Sequence, residues 1–194
     1  MIQIGVLLFP QVEELDFVGP FEILNHINFI KANSTHVLLV AEKQEPILAY
    51  NGMKVLPDIT IEKCSQLDIL VVPGGKGRLQ AMKNEKIKNF IIKQSKDTKY
   101  ITSVCTGAFI LAEAGMLKGK RATTYHTAFT ELETYPNIKV EKRKVVHDGN
   151  IITGAGVSSG IELGLYLLKI LFGAELAQEV AVSLEYSIDV NQIS

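Results

Sequence analysis

Tyr100-Ile101-Thr102-Ser103-Val104-Cys105-Thr106-Gly107-Ala108-Phe109-Ile110 joins a short β-rich run to an apolar helical run through one cysteine. A strand that passes straight into a helix is the unit of a parallel sheet, and its junction lies at the carboxyl edge, where ligands bind in open α/β folds. Ser103 and Gly107 are the small neighbours in a small-x-Cys-x-Gly pattern. It is a thiol version of the elbow that holds a nucleophile on a tight, strained turn. A helix opening at Thr106 or Gly107 would aim free N–H groups at the sulfur and favour the thiolate. Cysteine is also among the most buried residue types, so an inert small hydrophobe is the other reading of Cys105. Cys64, in Ile61-Glu62-Lys63-Cys64-Ser65-Gln66, has no strand before it and no glycine after it, and only that second reading applies.

Outward from the elbow, β-rich and helical runs alternate along the chain. Ile2 to Phe9 reads as a buried first strand, followed by a helix that Gly19-Pro20 opens and that runs through Phe21, Ile23, Leu24, Ile27 and Ile30. His36 to Val40 and Asp68 to Val72 are continuous apolar runs of the kind a parallel sheet covered on both faces requires. Asn51-Gly52 between two short apolar pieces predicts a hairpin over 47–56, decorating an edge. Helical patterns span about 78–95, Arg121 to Tyr125 is a weak strand, and Thr127 to Tyr135 a short helix. Val140 to Val146 reads as a strand turned by Asp148-Gly149 into Ile151 to Thr153, and helices follow at 161–172 and about 174–186. With no repeat or linker, the expectation is one doubly wound, mostly parallel α/β domain over 1–194.

Composition narrows the function classes. The 194 residues are 47% hydrophobic and 21% charged, as in a compact globular chain, and 20 basic against 21 acidic side chains give a formal charge of −1. No basic block marks a nucleic-acid surface, so nucleic acid is not an expected partner. Pro10 and Glu13-Glu14 follow the apolar start too soon for a signal peptide or a membrane span, so no membrane partner is expected. Two distant cysteines without an export signal point to free thiols in a reducing, cytoplasmic setting.

A nucleophilic thiol needs a proton partner and an anion stabiliser. Of the four histidines, His26 lies within a helical run, His36 starts a strand and His147 borders a turn; only His126 follows a strand end that could face the elbow. The other candidate is a carboxylate. Glu13 and Glu14 read as a helix cap or solvated acidic loop, whereas Leu15 and Phe17 would pull Asp16 inward, where burial raises a carboxyl pKa. Pro73-Gly74-Gly75 after a buried strand allows close backbone approach and, beside an elbow cysteine, can form an anion hole. No metal or cofactor motif is present, and Lys76-Gly77 lacks the ending of a phosphate loop.

Taken together, Leu7-Leu8-Phe9-Pro10, Leu15 to Pro20, Val72 to Gly75, Thr102 to Gly107, Ala112 to Gly119 with Arg121 to Thr124, and Asp148 to Asn150 with Thr153 to Gly156 resemble the ThiJ/PfpI superfamily over essentially the whole chain. Within it, the pattern is most similar to the isonitrile hydratases and to the related domains of some transcription regulators. The resemblance implies a flavodoxin-like sandwich, a homodimer, and a cysteine nucleophile acting without metal or cofactor. It places Cys105 as nucleophile, Asp16 as the acid beside it, Thr106 as a supporting residue and Gly75 as an anion-hole donor. The implied reaction is addition of water to a small-molecule isonitrile, giving an N-substituted formamide.

Related peptidases carry histidine directly after the nucleophile, where this chain has Thr106, so the resemblance disfavours proteolysis. The regulators append a helix-turn-helix domain for which this chain, ending at Ser194, is expected to leave no room. The related hydratases read Ala-Thr-Thr-His-Trp where Ala122-Thr123-Thr124-Tyr125-His126 stands here, so Tyr125 and His126 are candidate pocket residues with exchanged aromatic and imidazole positions. Glyoxalase-like or deglycase-like enzymes and oxidation-sensing stress proteins of the superfamily use the same cysteine and are the alternative readings.

Overall fold

A computed structural model of the chain describes residues 1–193; Ser194, the last residue of the expected domain, lies outside the described residues. The chain order is β1 (Ile2–Leu8), α1 (Glu14–Ile30), β2 (Thr35–Ala41), β3 (Ile47–Leu48), β4 (Lys54–Val55), β5 (Ile59–Thr60), β6 (Ile69–Val72), α2 (Arg78–Ala81), α3 (Glu85–Gln94), β7 (Tyr100–Val104) and α4 (Gly107–Glu113). It continues with β8 (Arg121–Ala122), α5 (Phe129–Glu133), β9 (Lys139–Val140), β10 (Val145–Asp148), β11 (Ile151–Gly154), α6 (Ser159–Phe172) and α7 (Ala174–Ser183). The main sheet has the order β10-β11-β7-β6-β1-β2-β5 and is parallel except for the β10–β11 pair. Helices α1, α6 and α7 pack together as one group, and α4 packs with α2 and α3 as another. This is the single-domain, mostly parallel α/β sandwich the alternating pattern predicts.

The apolar runs are central strands because both faces are covered. Ile69–Val72 is buried at every position, as are Ile101 to Val104, and their side chains join one continuous core with Phe109, Ile110 and Leu111 of α4. Burial of this kind contributes about 25 cal/mol per Å² of apolar surface and fixes the strand ends relative to one another. The rigid sheet therefore presents β1, β6, β7 and β11 side by side, with the loops after them converging at one rim.

Several boundaries differ from those the sequence predicts. α1 starts at Glu14, not at Gly19-Pro20, so Pro20 lies in its second turn and Asp16 in its first. Glu14 and Asp16 suit the positive end of the helix, and the Pro20 ring sits so close to Gly160 that a Cβ there would lie 2.9 Å from its Cδ. The helical patterns at 78–95 form two helices, α2 and α3, because the Asn84 side chain accepts from the N–H groups of Lys86 and Ile87 and starts α3 afresh. Val140–Val146 splits at the charged run Glu141-Lys142-Arg143-Lys144: β9 pairs with β8, β10 with β11. Only Arg121–Ala122 of the weak strand is extended, and the final helix ends at Ser183.

The 47–56 hairpin forms, but it does not extend the edge of the main sheet. β3 and β4 pair only with each other, and the hairpin docks on the loop after β1: Gln11 N–H donates to Leu48 O (2.9 Å) and Tyr50 N–H to Val12 O (2.8 Å). Its Asn51 tip is held by Glu14, whose carboxylate accepts from Asn51 N–H at 2.7 Å and Asn51 Nδ2 at 2.8 Å. The first residue of α1 thus anchors a hairpin at the rim where the loops converge.

Candidate active site

Cys105 follows the last residue of β7 and has φ +56°, a left-handed conformation that costs a non-glycine residue of order 1 kcal/mol or more. The surrounding backbone holds it there. Cys105 N–H donates to the carbonyls of Gly154 (3.1 Å) and Ala155 (2.6 Å), and its carbonyl accepts from Thr124 Oγ1 at 2.8 Å. Thr124 is itself positioned by Thr123, whose N–H donates to Thr153 Oγ1 at 2.8 Å. Small residues allow the neighbouring loops to close on this turn: a Cβ on Gly107 would overlap Val72 O, and one on Gly74 would stand 2.5 Å from Thr106 N.

Asp16 enters from α1 with no exposed surface. Its Oδ2 accepts from Gly74 N–H at 2.9 Å. The other oxygen, Oδ1, is buried without a partner of ordinary hydrogen-bond geometry, although the Cys105 thiol is close enough that each group shifts the other's ionisation. Burial pushes the Asp16 carboxyl up to about 7; the Gly74 N–H opposes this, the charge of Glu13 adds to it, and the thiol lowers it. Burial and then the Asp16 charge push Cys105 up to about 12, against the N–H groups of Val157 and Thr106, which favour the thiolate. The helix N-terminus therefore does not by itself produce a thiolate, as the elbow pattern had led one to expect. With the pair sharing a proton, neither group titrates alone.

Of the sequence candidates, Cys105, Asp16, Thr106 and Gly75 meet at one place. Gly75, at φ +117°, donates its N–H to Thr106 Oγ1 at 3.1 Å, so that donor is engaged by the threonine hydroxyl and would have to exchange it for a substrate anion. Tyr125 lies against Gly156, where an added Cβ would overlap its ring, so it covers the segment that leads to Val157. His126 is exposed and packs edge-on against Tyr125, with ring centroids 4.4 Å apart, rather than against the thiol. The remaining histidines are engaged elsewhere: His26 with Ser183, His36 with Gln3, His147 with Tyr166 and Gly149.

Three residues take roles other than those the sequence suggests. Gly74 N–H, rather than Gly75 N–H, holds the Asp16 carboxylate. Val157 directs its N–H to the sulfur from φ +38°, a conformation no pattern predicts for a β-branched residue. Glu13 makes no side-chain cap on α1; it is half-buried, and its N–H donates to Gly74 O at 3.0 Å. Among the described residues no group of three or more His, Cys, Asp or Glu gathers to hold a metal, and no helix is long and apolar enough to cross a membrane.

Comparison with known proteins gives this arrangement its relatives. The model of the DJ-1/PfpI family matches residues 2–170. An isonitrile hydratase from Pseudomonas putida is 41% identical over 186 residues, covering 96% of this chain and 79% of that protein. A ThiJ/PfpI family protein from Pseudomonas syringae superposes with a TM-score of 0.87 at 33% identity, over 97% of this chain and 76% of that one. Drosophila melanogaster DJ-1beta superposes with a TM-score of 0.85 at 26% identity, over 96% and 99% of the two chains.

Proposed function

The chain belongs to the DJ-1/PfpI family, and from that membership we propose that it adds water to an isonitrile, with Cys105 as nucleophile and Asp16 as the group that moves the proton. The observation that carries the reading is the buried Asp16 carboxyl, with one oxygen held by Gly74 N–H, the other unpartnered, and the Cys105 thiol near enough to shift its ionisation. A carboxyl with a pKa near 7 can both take and give a proton at neutral pH. The 41% identity to an isonitrile hydratase supports the same substrate class.

The steps follow from the pair. Ionised Asp16 takes the thiol proton as sulfur attacks the terminal carbon of R–N≡C, then delivers it to that carbon, leaving the thioimidate Cys105–S–CH=N–R. Ionised Asp16 next draws a proton from water as the oxygen adds to the same carbon, and the nitrogen becomes N–H. Collapse of Cys105–S–CH(OH)–NHR breaks the C–S bond, returns the thiol and releases the formamide R–NH–CHO. Thr106 and Val157 N–H groups stabilise the sulfur when it carries charge. An oxidation sensor needs an accessible, low-pKa thiol; Cys105 is 6% exposed and shifted the other way.

Formamide production from a simple alkyl isonitrile tests the reading. Wild type should turn over, and Cys105→Ala and Asp16→Asn should each lose at least about 100-fold. Wild-type formamide no higher than the Cys105→Ala background, or faster consumption of methylglyoxal, would overturn it. We expect the active form to be a homodimer of twice 21.4 kDa, and sedimentation equilibrium at micromolar protein decides between dimer and monomer.

A further inference from the structure

Three carboxyls lie on the short segment from Glu13 to Asp16 that enters the site, and among the described residues no lysine, arginine or histidine forms an ion pair with any of them. Glu14 is tied by neutral donors only, Asn51 and the N–H of Met53. Glu13 has one weak partner, Asn51 Nδ2 at 3.3 Å. Asp16 has Gly74 N–H, and its fully buried Oδ1 remains unpartnered. Glu13 and Asp16 flank the same residue, since Glu13 N–H donates to Gly74 O while Gly74 N–H donates to Asp16. The cation on that loop, Lys76, is exposed and pairs with none of them.

We propose that Glu13 determines specificity by charge: it makes the site favour a substrate carrying a cationic group and disfavour one carrying an anionic group. For the proposed reaction the preferred isonitrile has an ammonium on R and the rejected one a carboxylate. Glu13 is half-buried and so less screened than a surface charge, and its effect on the Asp16 carboxyl has the expected sign. As a statement about substrate this rests on the hydratase reading; as a statement about the charge beside Asp16 it does not.

The test uses two methanethiosulfonates of similar size, one ending in ammonium and one in sulfonate. Each reacts when the Cys105 thiolate attacks the sulfenyl sulfur, an S–S bond forms and methanesulfinate leaves, so no other oxidant is needed. Peptide mass mapping separates Cys105 from Cys64. The ratio of the two rates cancels any change in the reactivity of the thiol itself, and Glu13→Gln keeps an acceptor for Asn51. The cation-to-anion ratio should exceed that of 2-mercaptoethanol and should fall about fivefold in Glu13→Gln, the size expected for one nearby unit charge. Glu22→Gln, at an exposed carboxylate on α1, should leave it unchanged. An unchanged ratio in Glu13→Gln, or an equal fall in Glu22→Gln, overturns the proposal. kcat/KM for the ammonium and carboxylate isonitriles should shift in parallel. If the reagent ratio shifts while neither isonitrile is hydrated, the hydratase reading fails and the assignment of the charge stands. If both isonitriles turn over with a ratio indifferent to Glu13→Gln, the specificity claim fails.

Discussion

Keeping Asp16 buried with one oxygen unpartnered is costly, and the cost has a pH signature. Its pKa in the fold, about 7, lies above the roughly 3.9 of an exposed aspartate. Between those values the folded chain holds a proton that the unfolded chain has released, so this group's contribution is fully present below about pH 4 and lost as pH rises through about 7. Asp16→Asn removes the titration and can still accept from Gly74 N–H. The variant should therefore gain about 2–4 kcal/mol relative to wild type at pH 8 and nothing near pH 4. Denaturant melts at the two pH values measure this, and an equal difference at both would show that Asp16 is not the titrating group.

The same pair predicts the rate profile. Attack needs thiolate and protonated carboxyl, which carry the same number of protons as thiol and carboxylate, the form that dominates between about 7 and about 12. For wild type kcat/KM should rise through about pH 7 and then stay level; a fall above pH 7 would mean that the reactive form carries both protons. Asp16 was legible in the sequence because Leu15 and Phe17 flank it. Gly74 was legible as a backbone donor in Pro73-Gly74-Gly75 but not as the partner of Asp16, and Val157 was not legible at all, since a backbone N–H leaves no mark on side-chain identity.

Among the elements, the elbow depends on how closely β6, β7 and α4 approach. Gly107 opens α4 with its Cα against Val72 O, and a methyl there would collide with backbone that cannot move without shifting a central strand. Gly107→Ala should cost at least about 3 kcal/mol, at the upper end of single-residue effects. Gly115, at φ +78° with open space around its missing Cβ, tests the contrasting case: Gly115→Ala pays only for the left-handed backbone, about 1 kcal/mol. Denaturation midpoints of the two variants check the ranking, and equal losses would show that close packing contributes nothing at Gly107. The small-x-Cys-x-Gly pattern reveals this constraint because glycine there is a steric requirement. The start of α1 was hidden by Pro20, whose usual place is a first turn; tertiary packing against Gly160 tolerates it in the second.

Across the molecule, the mostly parallel, doubly covered sheet was implicit in the continuous apolar runs, while the docking site of the hairpin was not, because its partners are backbone groups of the loop after β1. The two thiols that composition alone cannot tell apart share one continuous core and differ in where they sit in it. Cys64 is 3% exposed within the same apolar cluster as Ile69, Ile91 and Leu70, and burial raises its pKa. Cys105, 6% exposed, belongs to that cluster too, but it sits on the turn between β7 and α4, beside the loop that carries Val157. Loops open locally at low free-energy cost, whereas a residue inside a single cooperative core reacts when the whole domain unfolds. A small uncharged alkylating reagent should therefore modify one thiol per chain under native conditions and two in denaturant. The rate at Cys64 should follow global stability, slowing in Asp16→Asn at pH 8 by the factor its stabilisation predicts, while Cys105 keeps no such dependence. Native labelling of Cys64 as fast as Cys105 would mean that the region around α3 opens independently of the sheet.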